Sequence, residues 1–594
     1  MCGIVGCIGK INTKQYLING LKTLDYRGYD SAGIAFLQDN EVKICKTVGS
    51  VETLEKKSPT NILSYMGIGH TRWATHGEPS DINSHPVQSM NKTITLVHNG
   101  VIENFFELKN ILIHKGYQFE SATDSEVIAS CIEYELAQNG DDIKAALIKI
   151  MAMLEGSFAC AIMYKNDFSH LYLIKRSSPL MIGVGENYNL IASDAVPIIE
   201  YTKKIIDLDD DQLAILSDKG VELYDDRLNP LQIVYAEKEP DLLKRDLAGY
   251  PHFMIKEIEE IEGVVRRLCV NYYDGKKFKF DDNLIKDIKH ADNIVFIGCG
   301  TSYHASLVGA RFFRKLGIEA SVHIASEWAY YPQFPGKKPF IILLSQSGET
   351  ADLIHCLRII KDKNIKTLVV TNTQGSTIER GCDYSILLNA GLEVSVASTK
   401  AYSAQVASLA LLTSSLTNRT KVVSDLDKAC RVNGQIKTIF KQPIKELAEK
   451  LKDSEHLFFL GRGYDYDFTL EASLKLKEIS YIHSEALAGG ELKHGPIALI
   501  DKGTPVIVFI TDPNTASSMR NNIQEVKARG AEVYVISIES LCKEGDYIVV
   551  RDYPVYLSSI AISSLAFYFA YYTAVAKGYN VDKPRNLAKS VTVE

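Results

Sequence analysis

The sequence predicts an α/β protein of several domains, in which a layered, strand-rich domain precedes two doubly wound domains with parallel sheets. The chain has 594 residues, which is several times the length of a typical domain. Up to about residue 220, short β-like runs alternate with helical stretches. Beyond about residue 280, one strand–helix pattern is present twice. These three observations together define the predicted architecture.

The repeated unit is visible in its strands. NIVFIGCGTSY from residue 293 matches HLFFLGRGYDY from residue 456, and PFIILLSQSGE from 339 matches PVIVFITDPNT from 504. KTLVVTNT from 366 and AEVYVISI from 531 continue the two series, so the displacement stays at about 165 residues. In doubly wound sheets, ligands bind at the carboxyl ends of the strands. We therefore expect the chemistry of this half in the loops that follow the strands.

The segment between these regions is rich in charged residues and is interpreted as a connector that ends in a helix. The expected segments are the first domain at 2–220, the connector at 221–280, the repeated domains at 281–425 and 448–585, and a C-terminal tail at 586–594.

Composition excludes several classes of function. The net charge of −7 provides no basic surface, so nucleic acid is not an expected partner. The first residues lack a secretory pattern and no run reaches about 18 apolar residues, so we expect no membrane contact and a cytoplasmic location. The 11 cysteines lack CxxC spacing and neighbouring histidines, so we expect neither a metal site nor a disulfide framework.

Cys2 is a candidate nucleophile. If Met1 is removed, this residue carries both a thiol and a free α-amine, whose ordinary pKa of about 7.7 to 8 suits a base near neutral pH. Alternatively, Cys2 is an ordinary residue before a buried first strand that contains Ile4 and Val5.

Four motifs accompany this cysteine: CGIVG from Cys2, YRGYDSAG from Tyr26, HTRWATHG from His70 and HNG from His98. Together they resemble the class II glutamine amidotransferases. The resemblance implies an N-terminal nucleophile fold with αββα layers, in which Cys2 forms a thioester with glutamine and releases ammonia. It assigns the oxyanion donors to the Asn99 side chain and the Gly100 backbone amide.

The same resemblance implies a site for the rest of the glutamine molecule, formed by Arg72, Thr75, His76 and Asp124. Arg72 suits the α-carboxylate and Asp124 suits the α-ammonium. Taken alone, Arg72 is equally consistent with a surface ion pair, and Asp124 with a helix cap. Trp73 is a candidate gate for an ammonia passage, although a core role for Trp73 or His76 is also open.

A phosphate site is predicted in the first repeated domain. Hydroxyl groups and backbone amides of the run from Ser345 to Thr350 follow a strand and precede a helix, an arrangement that suits a phosphate. The second copy has the acidic run Thr511–Asn514 at this position, so one phosphate site is expected. Ser347 is otherwise explained as a helix cap.

The two repeated domains resemble sugar isomerase domains, through motifs that include VASTK from Val396, LKLKEIS from Leu474, ELKHGP from Glu491 and the tail NLAKSVTVE from Asn586. Nearly the whole chain resembles the glutamine:fructose-6-phosphate aminotransferase family. The resemblance implies that L-glutamine and fructose 6-phosphate are converted to glucosamine 6-phosphate and glutamate without a cofactor, in a homodimer. His494 would open the sugar ring, Lys589 would form an imine at C2, and Glu478 would move a proton.

The sugar-phosphate contacts implied by this resemblance are Thr301, Ser302, Ser345, Gln346, Ser347, Thr350, Val396, Ser398, Lys475 and Ala588. Glu471, Lys475 and Glu478 share one stripe of a helix by their spacing. The spacing alone is also that of a solvent-exposed salt-bridge ladder.

Three alternatives stay open. Another class II amidotransferase would need an ATP or pyrophosphate-ribose site, yet the sequence has no GxxxxGK[ST] loop. A sugar-phosphate sensor would use the same domains for binding alone, and a plain isomerase or deglycating enzyme would not need the first domain. The sequence departs from the family in the connector, where Glu260-Ile261-Glu262 replaces the usual Glu-Gln-Pro, which bears on coupling between the halves rather than on chemistry.

Overall fold

The computed structural model of the chain describes residues 2–24, 30–60, 62–73, 76–236 and 246–591. Two compact units are formed, one by Met1–Lys244 with Ser590–Glu594 and the other by Arg245–Lys589. The motif residues 26–29 and the predicted glutamine contact Thr75 lie outside the described residues.

The first unit contains antiparallel strands and short helices. Its strands are β1 (Gly3–Gly9), β2 (Ser31–Gln38), β3 (Glu41–Val48), β4 (Met66–Arg72), β5 (Val87–Gln88), β6 (Ile94–Ile102), β7 (Gly156–Tyr164), β8 (Asp167–Arg176), β9 (Met181–Val184), β10 (Tyr188–Ala192), β11 (Ile205–Asp207), β12 (Gln212–Leu216) and β13 (Val221–Tyr224). Its helices are α1 (Thr13–Leu24), α2 (Val51–Lys57), α3 (Phe105–His114), α4 (Asp124–Asn139), α5 (Ile143–Met153) and α6 (Val196–Ile199).

Two sheets pack face to face in this unit. Within the described residues their strand orders are β11-β9-β10-β1-β4-β2-β3 and β13-β12-β8-β7-β6-β5. Ile4 and Ile8 of β1 point into the core between the sheets, whereas Val5 and Cys7 point to the helices on the outer face. This alternation of period two buries both faces of the strand. The predicted αββα layering is confirmed.

The second unit alternates strands and helices. Its strands are β14 (Asn293–Gly298), β15 (Ala320–Ile324), β16 (Pro339–Ser345), β17 (Thr367–Thr371), β18 (Tyr384–Leu387), β19 (His456–Gly461), β20 (His483–Ala488), β21 (Pro505–Ile510), β22 (Glu532–Ile538) and β23 (Ile548–Val550). Its helices are α7 (Phe253–Tyr272), α8 (Asp282–His290), α9 (Gly300–Lys315), α10 (Ala325–Trp328), α11 (Ala351–Lys361), α12 (Thr377–Gly381), α13 (Lys400–Leu416), α14 (Lys421–Gln435), α15 (Lys441–Leu451), α16 (Tyr464–Ser480), α17 (Ala516–Lys527), α18 (Ser558–Ala561) and α19 (Ser563–Ala576).

The strands of this unit form two parallel sheets with matching topology. Over the described residues the orders are β15-β14-β16-β17-β18 and β20-β19-β21-β22-β23, so the same position in each sheet is taken by the corresponding strand of the repeat. The predicted pair of doubly wound domains is confirmed. Thr301 follows β14 and Ser345 ends β16, which places both at the carboxyl edge of the first sheet.

One apolar helical stretch lies in the interior of the second unit. Among the described residues, Val555–Ala576 is long and apolar enough to cross a membrane by length and composition. However, 83% of its most apolar window is buried inside the structure. Because α19 belongs to the same hydrophobic core as α13 and α16, this burial is typical of a core helix.

Candidate active sites

Cys2 lies at the start of β1, where the neighbouring strand brings a second segment against it. β1 pairs antiparallel with β4, and Gly3 faces Thr71. The residue after β4 therefore reaches the thiol, and the Trp73 amide donates to Cys2 Sγ over 3.3 Å. Burial raises the pKa of the Cys2 thiol. A nucleophilic thiolate at this position consequently needs a base.

The predicted oxyanion donors stand beside Cys2. Asn99 Nδ2 donates to the Cys2 carbonyl oxygen over 3.1 Å. Gly100 has a φ of +134°, and a Cβ atom at this position would lie 2.0 Å from the Ser157 carbonyl oxygen. Only glycine fits such a backbone so close to a neighbouring strand. The structure thus brings Cys2, Asn99 and Gly100 together.

Two buried charges lie near the thiol. Arg72 ends β4, is 3% exposed and donates through Nη2 to the carbonyl oxygens of His76 and Gly77. Asp124, also 3% exposed, accepts from the Ile102 amide over 3.0 Å. Burial has the largest effect on the pKa of Cys2 and raises it, whereas the Arg72 charge lowers this pKa and the Asp124 charge raises it. A cation and an anion beside the nucleophile match the two charged groups of an α-amino acid.

Trp73 and His76 are two further predicted residues of this site that the structure describes. Thr123, rather than Asp124, is the N-cap of α4. Trp73 is partly exposed, and His76 packs its ring edge-to-face on Phe105 at 4.7 Å. The interpretation of Asp124 as a helix cap is therefore wrong.

The predicted phosphate loop lies between β16 and α11. Ser345 Oγ accepts from the Gly348 amide over 2.9 Å and is 2.9 Å from Thr350 Oγ1. Ser347 Oγ accepts from the Glu349 amide over 3.1 Å, whereas Thr350 is the N-cap of α11. The loop therefore presents hydroxyl groups at the N-terminal end of a helix, where an anion is favoured.

A buried ionic group joins the two repeated domains. Glu471 and Lys475 on α16 have side chains that are 0% exposed. Lys475 Nζ lies 2.6 Å from Glu478 Oε2, 3.4 Å from Glu471 Oε1 and 2.9 Å from Thr301 Oγ1 on α9. The solvent-exposed ladder that the spacing also allowed is excluded. Burial raises the pKa of the Glu478 carboxyl.

Lys589 is held by a carboxylate that the sequence did not single out. Its Nζ lies 2.5 Å from Oε2 of Glu393, whose side chain is 0% exposed. Ser398 Oγ donates to the same carboxylate, as do the amides of Thr399 and Ala401. Although burial alone raises the pKa of Glu393, the Lys589 ammonium and these hydrogen bonds hold it at about 2. Glu393 is therefore ionised, and it fixes the lysine.

A second buried carboxyl group, Glu257 on α7, supports the loop that carries Glu393. Its Oε1 accepts from the amides of Val394 and Ser395. Its Oε2 is buried and has no hydrogen-bond partner among the described residues. Burial, together with the nearby Glu393 carboxylate, raises the pKa of Glu257 to about 8. The group is consequently neutral near pH 7.

The other predicted sugar contacts belong to the second unit. Ser302 Oγ accepts from Gln405 Nε2 over 2.9 Å, and the Val396 amide donates to the Asp582 carbonyl oxygen over 3.2 Å. Gln346 accepts through its carbonyl oxygen from the Asn372 amide, and Ala588 adjoins Lys589 in the chain. An open cleft of about 570 Å³ is lined by Glu478 and by tail residues 585–587.

His494 is not joined to this group. It is exposed, and within the described residues no hydrogen bond or ion pair links it to Lys475, Glu478 or Lys589. The segment that carries it packs through Leu492 on the face of the second sheet opposite to α16.

The described residues also contain no group of three or more His, Cys, Asp or Glu side chains that could hold a metal ion.

Comparisons with known proteins relate the domains that carry both sites to one protein family. A glutamine amidotransferase domain model matches residues 70–199, and a SIS domain model matches residues 287–415 and 450–575. The chain is 43% identical, over 100% of both chains, to proteins named glutamine–fructose-6-phosphate aminotransferase [isomerizing] from Staphylococcus aureus strain Mu50, Oceanobacillus iheyensis and Bacillus licheniformis. The chain belongs to the glutamine–fructose-6-phosphate aminotransferase family.

A solved structure agrees with this family assignment in the second unit. The C-terminal domain of glucosamine-fructose-6-phosphate aminotransferase from Francisella tularensis is 31% identical, covers 57% of this chain and 100% of that chain, and superposes with a TM-score of 0.54. In this member of the aminotransferase family, the sequence did not predict Glu393 and Glu257 as site residues, because no motif or spacing marks them. Their roles arise from contacts with residues about 196 and 137 positions away.

The buried Glu257 predicts a pH-dependent stability difference. Its pKa rises from 4.5 to about 8 on folding. Between these values the unfolded chain ionises while the folded chain stays protonated, so wild-type stability falls as pH rises through this window. The glutamine side chain in Glu257→Gln does not titrate. The free energy of unfolding of this variant, relative to that of the wild type, should therefore rise by up to about 5 kcal/mol as pH increases from 4.5 to 8.

Urea denaturation at a series of pH values measures this difference. Glu262→Gln, on the same helix but 38% exposed, is the matched control and should show little pH-dependent change. A constant difference between Glu257→Gln and the wild type across this range would show that Glu257 is not held neutral.

Proposed function

We propose that this chain converts fructose 6-phosphate and L-glutamine to glucosamine 6-phosphate and glutamate, the first step of amino-sugar synthesis. The observation that carries the proposal is the presence of two groups of reactive side chains in one chain of this family. One group places Cys2 beside the Asn99 amide, and the other holds Lys475, Glu478 and Lys589 in buried ionic contacts. The first suits amide hydrolysis and the second suits sugar isomerisation.

Ammonia release begins at Cys2. Because burial keeps its thiol protonated near neutral pH, we propose that the α-amine freed by removal of Met1 takes the proton. The Sγ atom then attacks the side-chain amide of glutamine, and the Asn99 side chain and Gly100 amide stabilise the oxyanion. The α-ammonium returns its proton to the leaving nitrogen as the C–N bond breaks, so ammonia leaves, and water cleaves the thioester to give glutamate. Arg72, His76, Thr75 and Asp124 hold the α-amino acid end of the substrate.

Sugar chemistry takes place at Lys589 and Glu478. After losing its proton, the Lys589 amine adds to the C2 carbonyl and expels water, and ammonia then displaces the lysine from C2. Glu478 takes a proton from C1 as a carboxylate and delivers it to C2, which turns the ketose into an aldose. A raised pKa makes Glu478 a stronger base than an exposed glutamate.

The remaining roles concern binding. The loop of Ser345, Gln346, Ser347 and Thr350 takes the phosphate. The sugar is contacted by Thr301, Ser302, Val396, Ser398, Lys475 and Ala588. We propose that His494 opens the ring, a role that rests on the family resemblance because the described contacts do not join it to the other groups. The same resemblance supports a cytoplasmic homodimer that works without a cofactor.

Separate nitrogen sources test the proposal. With fructose 6-phosphate and glutamine, the purified protein should form glucosamine 6-phosphate, and with ammonium salt in place of glutamine it should form the same product. Cys2→Ala should abolish glutamine-dependent synthesis and retain ammonium-dependent synthesis, because only the nucleophile of the first reaction is removed. A chromatographic assay of the amino sugar measures both rates.

Each rival function gives a different result in this assay. Binding of fructose 6-phosphate with no amino sugar from either nitrogen source would overturn the proposal and favour a sugar-phosphate sensor. Ammonia release from glutamine with no use of fructose 6-phosphate would favour another class II amidotransferase.

Trp73 is proposed to gate an ammonia passage. Its backbone amide and carbonyl both contact the Cys2 thiol, so Trp73 is next to the place where ammonia forms. Trp73→Ala should lower the ratio of glucosamine 6-phosphate formed to glutamate formed, because ammonia escapes to solvent, whereas Trp73→Phe, which keeps an aromatic ring, should lower it less. A ratio that stays near one in Trp73→Ala would contradict the gate.

A further inference from the structure

His70 occupies a buried position next to the oxyanion donor Asn99. It lies on β4 opposite Ile4 and is 0% exposed. Its Nε2 atom is 3.0 Å from the His98 carbonyl oxygen and 3.1 Å from Asn99 Oδ1. One ring nitrogen therefore faces two oxygens at hydrogen-bond distance.

This geometry fixes the proton on the ring. A carbonyl oxygen only accepts hydrogen bonds, so Nε2 must carry the hydrogen that points between His98 and Asn99. The opposite nitrogen, Nδ1, is buried and has no partner among the described residues. Burial, with Arg72 nearby, lowers the pKa of His70 to about 3, so the ring is neutral under working conditions. His70 is a donor in one fixed tautomer.

The donor in turn decides the orientation of the Asn99 amide. A side-chain amide can turn over and exchange its oxygen and nitrogen, and only the nitrogen end stabilises an oxyanion. With Oδ1 accepting from His70, Nδ2 faces Cys2 and donates to its carbonyl oxygen over 3.1 Å. The reversed amide would set its nitrogen against the His70 N–H and its oxygen against the Cys2 carbonyl. Both contacts would then be unfavourable.

The surroundings hold the His70 ring in this orientation. The His85 ring packs on it with centroids 4.2 Å apart, and His85 Nδ1 accepts from the His98 amide over 3.3 Å. His98 Nδ1 is in turn 2.9 Å from Ser125 Oγ. A buried polar network in which the partners are fixed in this way supports one arrangement of its members.

We propose that His70 is a positioning residue for ammonia release, which orients the Asn99 amide so that the oxyanion donor is in place before glutamine binds. This inference rests on the proposed glutaminase function of the first unit. It concerns the transition state rather than binding of the substrate, since His70 is buried and, among the residues proposed to contact glutamine, hydrogen-bonds to Asn99. Its loss should therefore reduce kcat more than it changes KM.

Substitutions at His70 that differ in one donor test the inference. His70→Gln places an amide nitrogen near the former Nε2 position, whereas the shorter His70→Asn does not reach it. We expect His70→Asn to lower kcat for glutamine hydrolysis by about tenfold to a hundredfold with KM for glutamine within about threefold, and His70→Gln to recover most of the loss. His70→Met, which fills the space without a donor, should match His70→Asn and replaces it if that variant does not fold.

Two further measurements separate positioning from a general structural effect. In an Asn99→Ala background, His70→Asn should lower kcat for glutamine hydrolysis little further, because the amide that His70 orients is absent. Ammonium-dependent synthesis and the rate at which iodoacetamide modifies Cys2, followed by mass spectrometry, should stay near wild type. An equal fall in kcat in the wild-type and Asn99→Ala backgrounds, or an effect on KM alone, would overturn the inference. A wild-type chain that releases no ammonia from glutamine would instead overturn the proposed function.

Discussion

The sugar-phosphate site depends on opposite charges that are buried together. An ion removed from water is costly, and leaving one member of a buried pair without its partner costs about 3–5 kcal/mol. Lys475 is therefore constrained by Glu471 and Glu478, and Lys589 by Glu393. A hydrogen bond from Lys475 to Thr301 connects α16 to α9, and the Lys589–Glu393 pair connects the tail to the loop before α13, so groups from distant parts of the chain are fixed in one site.

The ammonia-releasing site uses neutral groups to stabilise a negative charge that forms during the reaction. An oxyanion forms there only briefly, so the donors that stabilise it must be oriented in advance and must not carry a permanent charge that binds the ground state equally well. The neutral ring of His70, the Asn99 amide and the left-handed backbone at Gly100 meet this requirement. The charged side chains Arg72 and Asp124 suit the unreactive end of glutamine.

The sequence was informative where local pattern determines structure. Short β-like runs that alternate with helical stretches predicted a layered first unit, and the repeated strands predicted two matching parallel sheets. Cys2, Asn99 and Lys589 were found through short motifs. Glu393, Glu257 and His70 were not, because their importance comes from contacts with partners distant in sequence or from burial, which spacing does not reveal. Likewise, the stripe of Glu471, Lys475 and Glu478 was predicted correctly, but its burial depends on packing against another domain.

We propose that the buried, paired Lys589 is the lysine that bonds to the sugar. The most direct measurement incubates the protein with fructose 6-phosphate and cyanoborohydride, which reduces an imine to a stable amine, and maps the modified peptide by mass spectrometry. We expect a sugar-phosphate adduct on Lys589 and none on Lys475 or Lys400. These two lysines are also buried, but they are paired with other carboxylates. An adduct on either of those lysines, or product formation with no trapped lysine, would contradict the proposal.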